Sequence, residues 1–448
     1  MNTFQAIGHG DLNFFQDGSI LNFDSPTVGF ASPTLLATRV FSIIPSDGYI
    51  SNYIAHMDNT SLTGTDSRVF QLVINKSATT FTAMCISNNN VSKDKAINSI
   101  DIYPVNSGDI GWFYTVYSGI QPGDFTSGTH SFLWCGSNAI LCGGKSFAMT
   151  SVNGSTSINP VFHTVLGETG SGNLSCVSPI NCTLKSFYVF TDTPTTRIAG
   201  NVTFTLYKNN VPTSLSITLS NNISSGSNIS NSVSVSSLDT LFFAISAEAV
   251  NSSGVSGQFC FGIECVSQNS GETPIFTSGK TFSNTNGYIV FSPNGSSWVD
   301  GTFNIQPPVN IISASHIKFK NMYVTLDNTL GIGEVARFYN AVYTNNNITT
   351  KLDTRQLVRQ NILVTLSGSD LVGYDGINVD SFTYSQNYVT MVDITGGVST
   401  TGISFKLSMV KFGVDIERPL IFHTGSDPLI FNSGSDPMVF HSRFIEGM

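Results

Sequence analysis

The chain has 448 residues, of which 40% are hydrophobic and only 11% charged, with a net charge of −9. This length supports several cores, and a charged fraction well below the usual quarter or so leaves Ser, Thr, Asn and Gly to keep the surface polar. The acidic balance, without any run of Lys and Arg, argues against a nucleic-acid footprint, and no stretch reaches the ~18 apolar residues of a membrane-spanning helix.

Residues 1–27 read as an extended N-terminal segment. The first ten lack the basic and apolar regions of a secretory signal, so none is expected. A low-charge surface without export fits a particle built inside a host cell and released by lysis, a virion component or a spore coat.

From residue 28 a β-rich unit recurs three times. Ile54-Ala-His-Met-Asp58, Tyr188-Val-Phe-Thr-Asp192 and Tyr323-Val-Thr-Leu-Asp327 each put a hydrophobic strand end before an acidic turn, with the aspartates 134 and 135 residues apart. Val69, Val202 and Val335, spaced by 133, lead the next strand in each unit. Such a period divides the chain before any fold is assumed. It predicts sandwiches over 28–140, 141–268 and 269–416.

In the first unit Phe70, Leu72 and Ile74 lead into Asn75-Lys-Ser77, and His130-Ser-Phe-Leu-Trp134 closes the unit. The middle unit is clearest. Val202, Phe204 and Leu206 alternate with Thr203, Thr205 and Tyr207, a turn follows at 208–212, and Leu215, Ile217 and Leu219 alternate with polar residues. That is a hairpin with one buried face. Val233 and Val235, then Leu241, Phe243 and Ile245, then residues 258–264 supply the remaining strands. The third unit runs from Val335 through Val342 and closes on Ile403, Phe405, Leu407 and Met409, departing from the pattern beyond Gly368. No segment holds a helical period over three turns, so the fold class is all-β.

Gly200-Asn-Val-Thr-Phe-Thr-Leu-Tyr-Lys-Asn-Asn210, Ser232-Val-Ser-Val-Ser-Ser-Leu-Asp239 and Gly257-Gln-Phe-Cys-Phe261 resemble the TNF/C1q-like jelly-roll modules of virion and spore surface proteins. The resemblance implies three tandem jelly-roll-like sandwiches and an exposed or assembled setting, and it carries no catalytic residue. Modules of that family associate as trimers, so three copies in one chain would either pack around a pseudo-threefold axis or string out as a rod.

Residues 417–448 carry a second repeat. Pro419-Leu-Ile-Phe422, Pro428-Leu-Ile-Phe431 and Pro437-Met-Val-Phe440 step by nine residues through Gly-Ser-Asp turns. Each unit is a short apolar strand and a turn, too small for a core of its own. It is expected to add strands to a neighbouring subunit or to the chain's own sheet edge, or to dock on the third domain. Pro419, Phe422, Pro428, Phe431, Pro437 and Phe440 are therefore the candidate assembly residues. Asp427 and Asp436 recur without the paired glycines of a calcium β-roll.

Catalytic patterns are scarce. The seven histidines are scattered, Gly331-Ile-Gly333 reads as a turn, and the cysteine pairs Cys135/Cys142, Cys176/Cys182 and Cys260/Cys265 lack zinc-knuckle spacing, so buried reduced thiols are expected. No cofactor or metal is expected. The sequence favours a non-enzymatic virion structural protein, outward-facing and made in the host cytoplasm. Its expected partners are other virion proteins and copies of itself, as a homo-oligomer or pseudo-trimer. The alternatives are a receptor- or glycan-binding surface protein, with aromatics at loop tips such as Trp112 or Trp298, and a tail-spike-type depolymerase working through a carboxylate pair.

Overall fold

The computed structural model describes residues 2–10, 22–24, 42–59, 66–75, 77–87, 93–118, 125–149, 155–158, 176–191, 201–220, 223–247, 255–282, 287–291, 298–301, 311–312, 316–343, 357–383, 386–396 and 403–415. All regular structure among them is strand. The first module holds β1 (Asn2–Gly10), β2 (Asn22–Asp24), β3 (Ser42–Ile43), β4 (Gly48–Asn59), β5 (Asp66–Ile74), β6 (Ser77–Ser87), β7 (Lys93–Val105), β8 (Ile110–Ser118) and β9 (Phe125–Gly136). The second holds β10 (Ala139–Met149), β11 (Ser155–Ile158), β12 (Cys176–Val177), β13 (Cys182–Thr191), β14 (Val202–Lys208), β15 (Val211–Leu219), β16 (Ser225–Val235), β17 (Thr240–Ala247) and β18 (Val255–Ser267). The third holds β19 (Thr273–Phe282), β20 (Gly287–Phe291), β21 (Trp298–Gly301), β22 (Ile311–Ile312), β23 (His316–Leu326), β24 (Val335–Tyr343), β25 (Leu357–Ser367), β26 (Val372–Asp375), β27 (Asp380–Phe382), β28 (Asn387–Thr395) and β29 (Ile403–Asp415).

The sheets repeat one plan. One sheet of each module runs β1-β9-β4-β7, β10-β18-β13-β16 or β19-β29-β23-β26, with β27 also on β23. The facing sheet runs β2-β8-β5-β6, β11-β17-β14-β15 or β21-β20-β28-β24-β25, with β3, β12 and β22 added beside β8, β17 and β28. First and last strands lie side by side and the chain crosses between layers, which is jelly-roll topology. Because β1 pairs with β9 and β2 with β8, the first sandwich begins at Asn2 rather than at residue 28. The segment expected to lie outside it supplies the opening strands of both sheets.

Local sequence explains the layers. In β14, Val202, Phe204 and Leu206 are buried and the intervening threonines are not, so one face meets the core. Phe204 pairs with Ile217 of β15 and Ile245 of β17, and deleting its ring would cost about 3–5 kcal/mol. The turn uses Asn209 and Asn210 at φ 51° and 64°, the left-handed region that asparagine tolerates best after glycine. The buried side chains of modules one and two form one continuous cluster that reaches Phe276 and Val410 of module three. A second cluster, from Ile275 to Met409, fills the third sandwich.

The modules contact one another in a cycle. β3 lies against β18 and β10, β12 lies against β29 and β19, and β22 lies against β9. Since β9, β18 and β29 hold the same place in their sheets, each module lays the same short strand on the same sheet of the next, and the third returns to the first. A head-to-tail contact that closes in this way makes a ring.

Candidate assembly surfaces

Modules one and two each have a tip where three loops are tied together. In the first, Asn75 Nδ2 donates to Asp109 Oδ1 at 2.6 Å, and the Ile110 amide donates to Asn75 Oδ1 at 2.9 Å. Asp109 Oδ2 also accepts from the Asn106 amide, and Asp47 Oδ1 from the Ser107 amide. The second repeats this clasp with Asn209, Asp239, Thr240, Ser236, Asn181 and Ser237 in the corresponding places. Burial raises the Asp239 carboxyl, but donors from the Ser236 amide, Asn209 and Lys208 outweigh it and hold the group below the usual carboxylate range. In the third module Gln386 Oε1 accepts from the Thr383 amide at the same turn.

These tips feed the seams. Gly108, in the first clasp, sits beside the Tyr188 ring of module two. Ser237, in the second, meets the Tyr323 hydroxyl of module three at 3.4 Å. Tyr188 and Tyr323 lie just past a shared bulge, where Asn52, Ser186 and Asn321 adopt φ near +50° at steps of 134 and 135 residues. The extra residue bends each strand and re-aims the side chains beyond it.

Backbone approach is closest where β3 meets module two. A Cβ on Gly262 would lie 2.1 Å from the Ile43 carbonyl oxygen, so only glycine lets β3 lie flat on β18. The Cys142 thiol donates to the same carbonyl at 3.5 Å. At the junction of modules one and two, Trp134 Nε1 donates to the Asn138 carbonyl. Asn138 Nδ2 in turn donates to the buried Glu264, which Ser186 and Lys185 also contact. At the next junction Lys320 pairs with the buried Glu272. Lys185 and Lys320 hold equivalent positions, but Glu264 lies in β18 whereas Glu272 lies in the turn before β19.

Two departures of the third module bear on its seams and edges. Lys411 is 3% exposed, and burial alone pushes its ammonium down to about 7. It shares the inward face of β29 with Met409, opposite Thr273, whose buried hydroxyl has no partner. Trp134 and Cys265 occupy the corresponding place in the other modules. The second departure is an apolar edge. Leu371, Val372, Tyr374, Ile377 and Val379 are all exposed within nine residues along β26 and the loop to β27.

The candidate assembly residues Pro419, Phe422, Pro428, Phe431, Pro437 and Phe440 lie outside the described residues, as do Asp427 and Asp436. Trp112 and Trp298 are not at loop tips. Trp112 is inside β8 opposite Val73, and Trp298 opens β21 opposite Phe291. The Gly331–Gly333 stretch is a turn, with the Gly331 amide donating to Glu334 Oε2 at 2.6 Å. Among the described residues six cysteines are buried, reduced thiols. Cys182 and Cys265 lie in contact, a pairing that sequence proximity did not suggest. Burial pushes the Cys176 thiol up, and Lys406 of module three lies close enough to oppose that shift across the seam. Among the described residues no group of His, Cys, Asp and Glu is arranged to hold a metal, and no helix is long and apolar enough to cross a membrane.

No family model and no curated protein matches the chain. Among solved structures, one from an archaeal virus, described as a triple jelly roll fold and turret assembly, aligns over 92% of this chain and 90% of its own at 14% identity, with a TM-score of 0.16. A structure of PNGF-II aligns over 80% of this chain and all of its own at 9% identity, with a TM-score of 0.18. TM-scores this low carry no functional argument.

Proposed function

We propose that the chain is a structural component of a virus particle, capsid-associated, minor capsid or fibre-like, that works by protein–protein assembly and performs no chemistry. The observation that supports this reading best is the cyclic packing. Three like modules use equivalent faces against one another, so one polypeptide forms a block of the kind that TNF/C1q-like modules, which the middle unit resembles, make from three chains. The titratable groups at the tips and junctions are engaged in holding loops and modules together. A low-charge surface then suits contact with copies of itself and with other virion proteins, because little charge has to be desolvated at such contacts. In this reading the protein faces outward, binds no nucleic acid and is made in the host cytoplasm.

The test is retrieval of partners by the full chain from disrupted particles, together with imaging of its place in the intact particle. Co-purification with other particle proteins at a fixed stoichiometry is the expected result. Binding to host cells or glycans without particle partners would favour the receptor reading instead, and cleavage of a polysaccharide would favour the depolymerase.

A further inference from the structure

The edge strands of equivalent sheets differ at the positions flanking one glycine, although β16 also exposes Ile229 further along. Gly226 of β16 pairs with Val189, and Gly373 of β26 pairs with Val324, so the two glycines are equivalent. A Cβ on either would collide with core side chains of the strand beneath, Ile217 and Leu219 or Val364 and Leu366. The residues flanking each glycine therefore point outward. In module two these are Ser225 and Ser227, and in module three they are Val372 and Tyr374, 62% and 52% exposed. In module one the same register positions hold Lys95 and Ile97. A lysine on an edge strand discourages pairing with another strand and serines offer it no apolar surface, whereas the paired Val and Tyr of module three do. Beyond β23, no described strand pairs with β26 or β27.

The chain itself offers a matching strand, and from this module. β29 ends at Asp415, paired with His316 on β23, and the adjoining residue of β23, Ile317, pairs with Phe382 of β27. A strand laid outside β27 would thus lie three inter-strand steps, about 14 Å, from Asp415. Residues 416–419, fully extended, reach about that far, and residues 416–427 reach roughly 40 Å. Leu420 and Phe422, or Leu429 and Phe431, are two residues apart as Val372 and Tyr374 are, so they would continue one apolar face. The proline opening each unit is tolerated at the start of an edge strand. A linker this short gives an effective concentration in the millimolar range, which favours the tail of the same chain over that of a second copy.

We propose that residues 419–436 of the chain lie along its own β26–β27 edge as an added strand. This deepens the assembly reading by assigning the tail a place. Two measurements on the full chain test it. Amides of residues 371–382 should exchange with solvent at least tenfold more slowly than in the variant Val372→Ser/Tyr374→Ser, which carries the serines of module two. A cysteine pair, Val372→Cys with Phe431→Cys, in a mixture of isotopically light and heavy chains, should bridge within single chains. Mixed light–heavy bridges would make a second copy the occupant and overturn the proposal, as would rapid exchange with no bridge. A chain that bridges internally yet retrieves no particle protein keeps this inference and loses the assembly reading, while assembly without tail contact does the reverse.

Discussion

Lys411 carries an electrostatic cost that one substitution measures. Its folded value of about 7 lies below that of an unfolded lysine, so between these values the unfolded chain binds more protons and stability rises with pH. Below about pH 7 both states are protonated and the cost is full and constant. Lys411→Met should stabilise the third module at pH 6 by an amount on the order of 3–5 kcal/mol, with a gain that shrinks toward pH 10. Urea titrations across that range check it, and a pH-independent gain would contradict the account. The clasp behaves in the opposite sense. Asp239 is held low, so its contribution is present above the unfolded carboxylate value and is lost as pH falls through the folded one. Asn209→Gly keeps the permitted φ but removes the bonds to Asp239 and Thr240, and should cost about 1–2 kcal/mol at neutral pH and less in acid. Asn340 shows how a single position departs. It holds the place of Leu206, is fully buried, and donates to the buried Asp380 at 2.8 Å while accepting from Thr390. Burial raises the Asp380 carboxyl, against donors from the Ile362 and Asn361 amides and Asn340.

At the scale of elements, the alternating strands of the middle unit were legible because one face of each is buried and the other is not. Register was harder. The valines at 133-residue spacing are one position out of step, because the turn residues Asn75 and Asn209 are 134 apart. Val202 is buried, whereas Val69 and Val335 are only half-buried and Ala336 faces the third core, as a slip of one in a strand requires. The opening strand of the first module was missed because residues 2–10 carry few large apolar side chains; their place is fixed by pairing with β9. The break beyond Gly368 was visible and corresponds to an edge split into β26 and β27. Seam strands of two residues, such as β3 and β12, leave no periodic signal. Gly262→Val tests one of these seams. The side chain would meet the Ile43 carbonyl, and it should destabilise the chain by about 1–3 kcal/mol in denaturant titration and loosen β3. An unchanged midpoint would mean that β3 does not rest on β18.

At the scale of the molecule, the 134-residue period announced three modules, since β4, β13 and β23 hold equivalent places in their sheets; the acidic turn expected at Asp58 is instead strand, because β4 runs on to Asn59. Whether the modules form a ring or a rod was open, because loop composition fits either. The ring depends on which short strand touches which sheet, and such contacts join residues far apart in sequence. The tail repeats are visible in the sequence but lie outside the described residues, whereas the edge proposed to receive them emerges only once Gly226 and Gly373 are superposed by register. The central claim is that one chain closes three jelly rolls on themselves. Small-angle X-ray scattering of the full chain in dilute solution tests it most directly. A closed block of this length should give a radius of gyration of about 22–25 Å. Three such modules end to end would give roughly 35 Å, and a value in that range would contradict the ring.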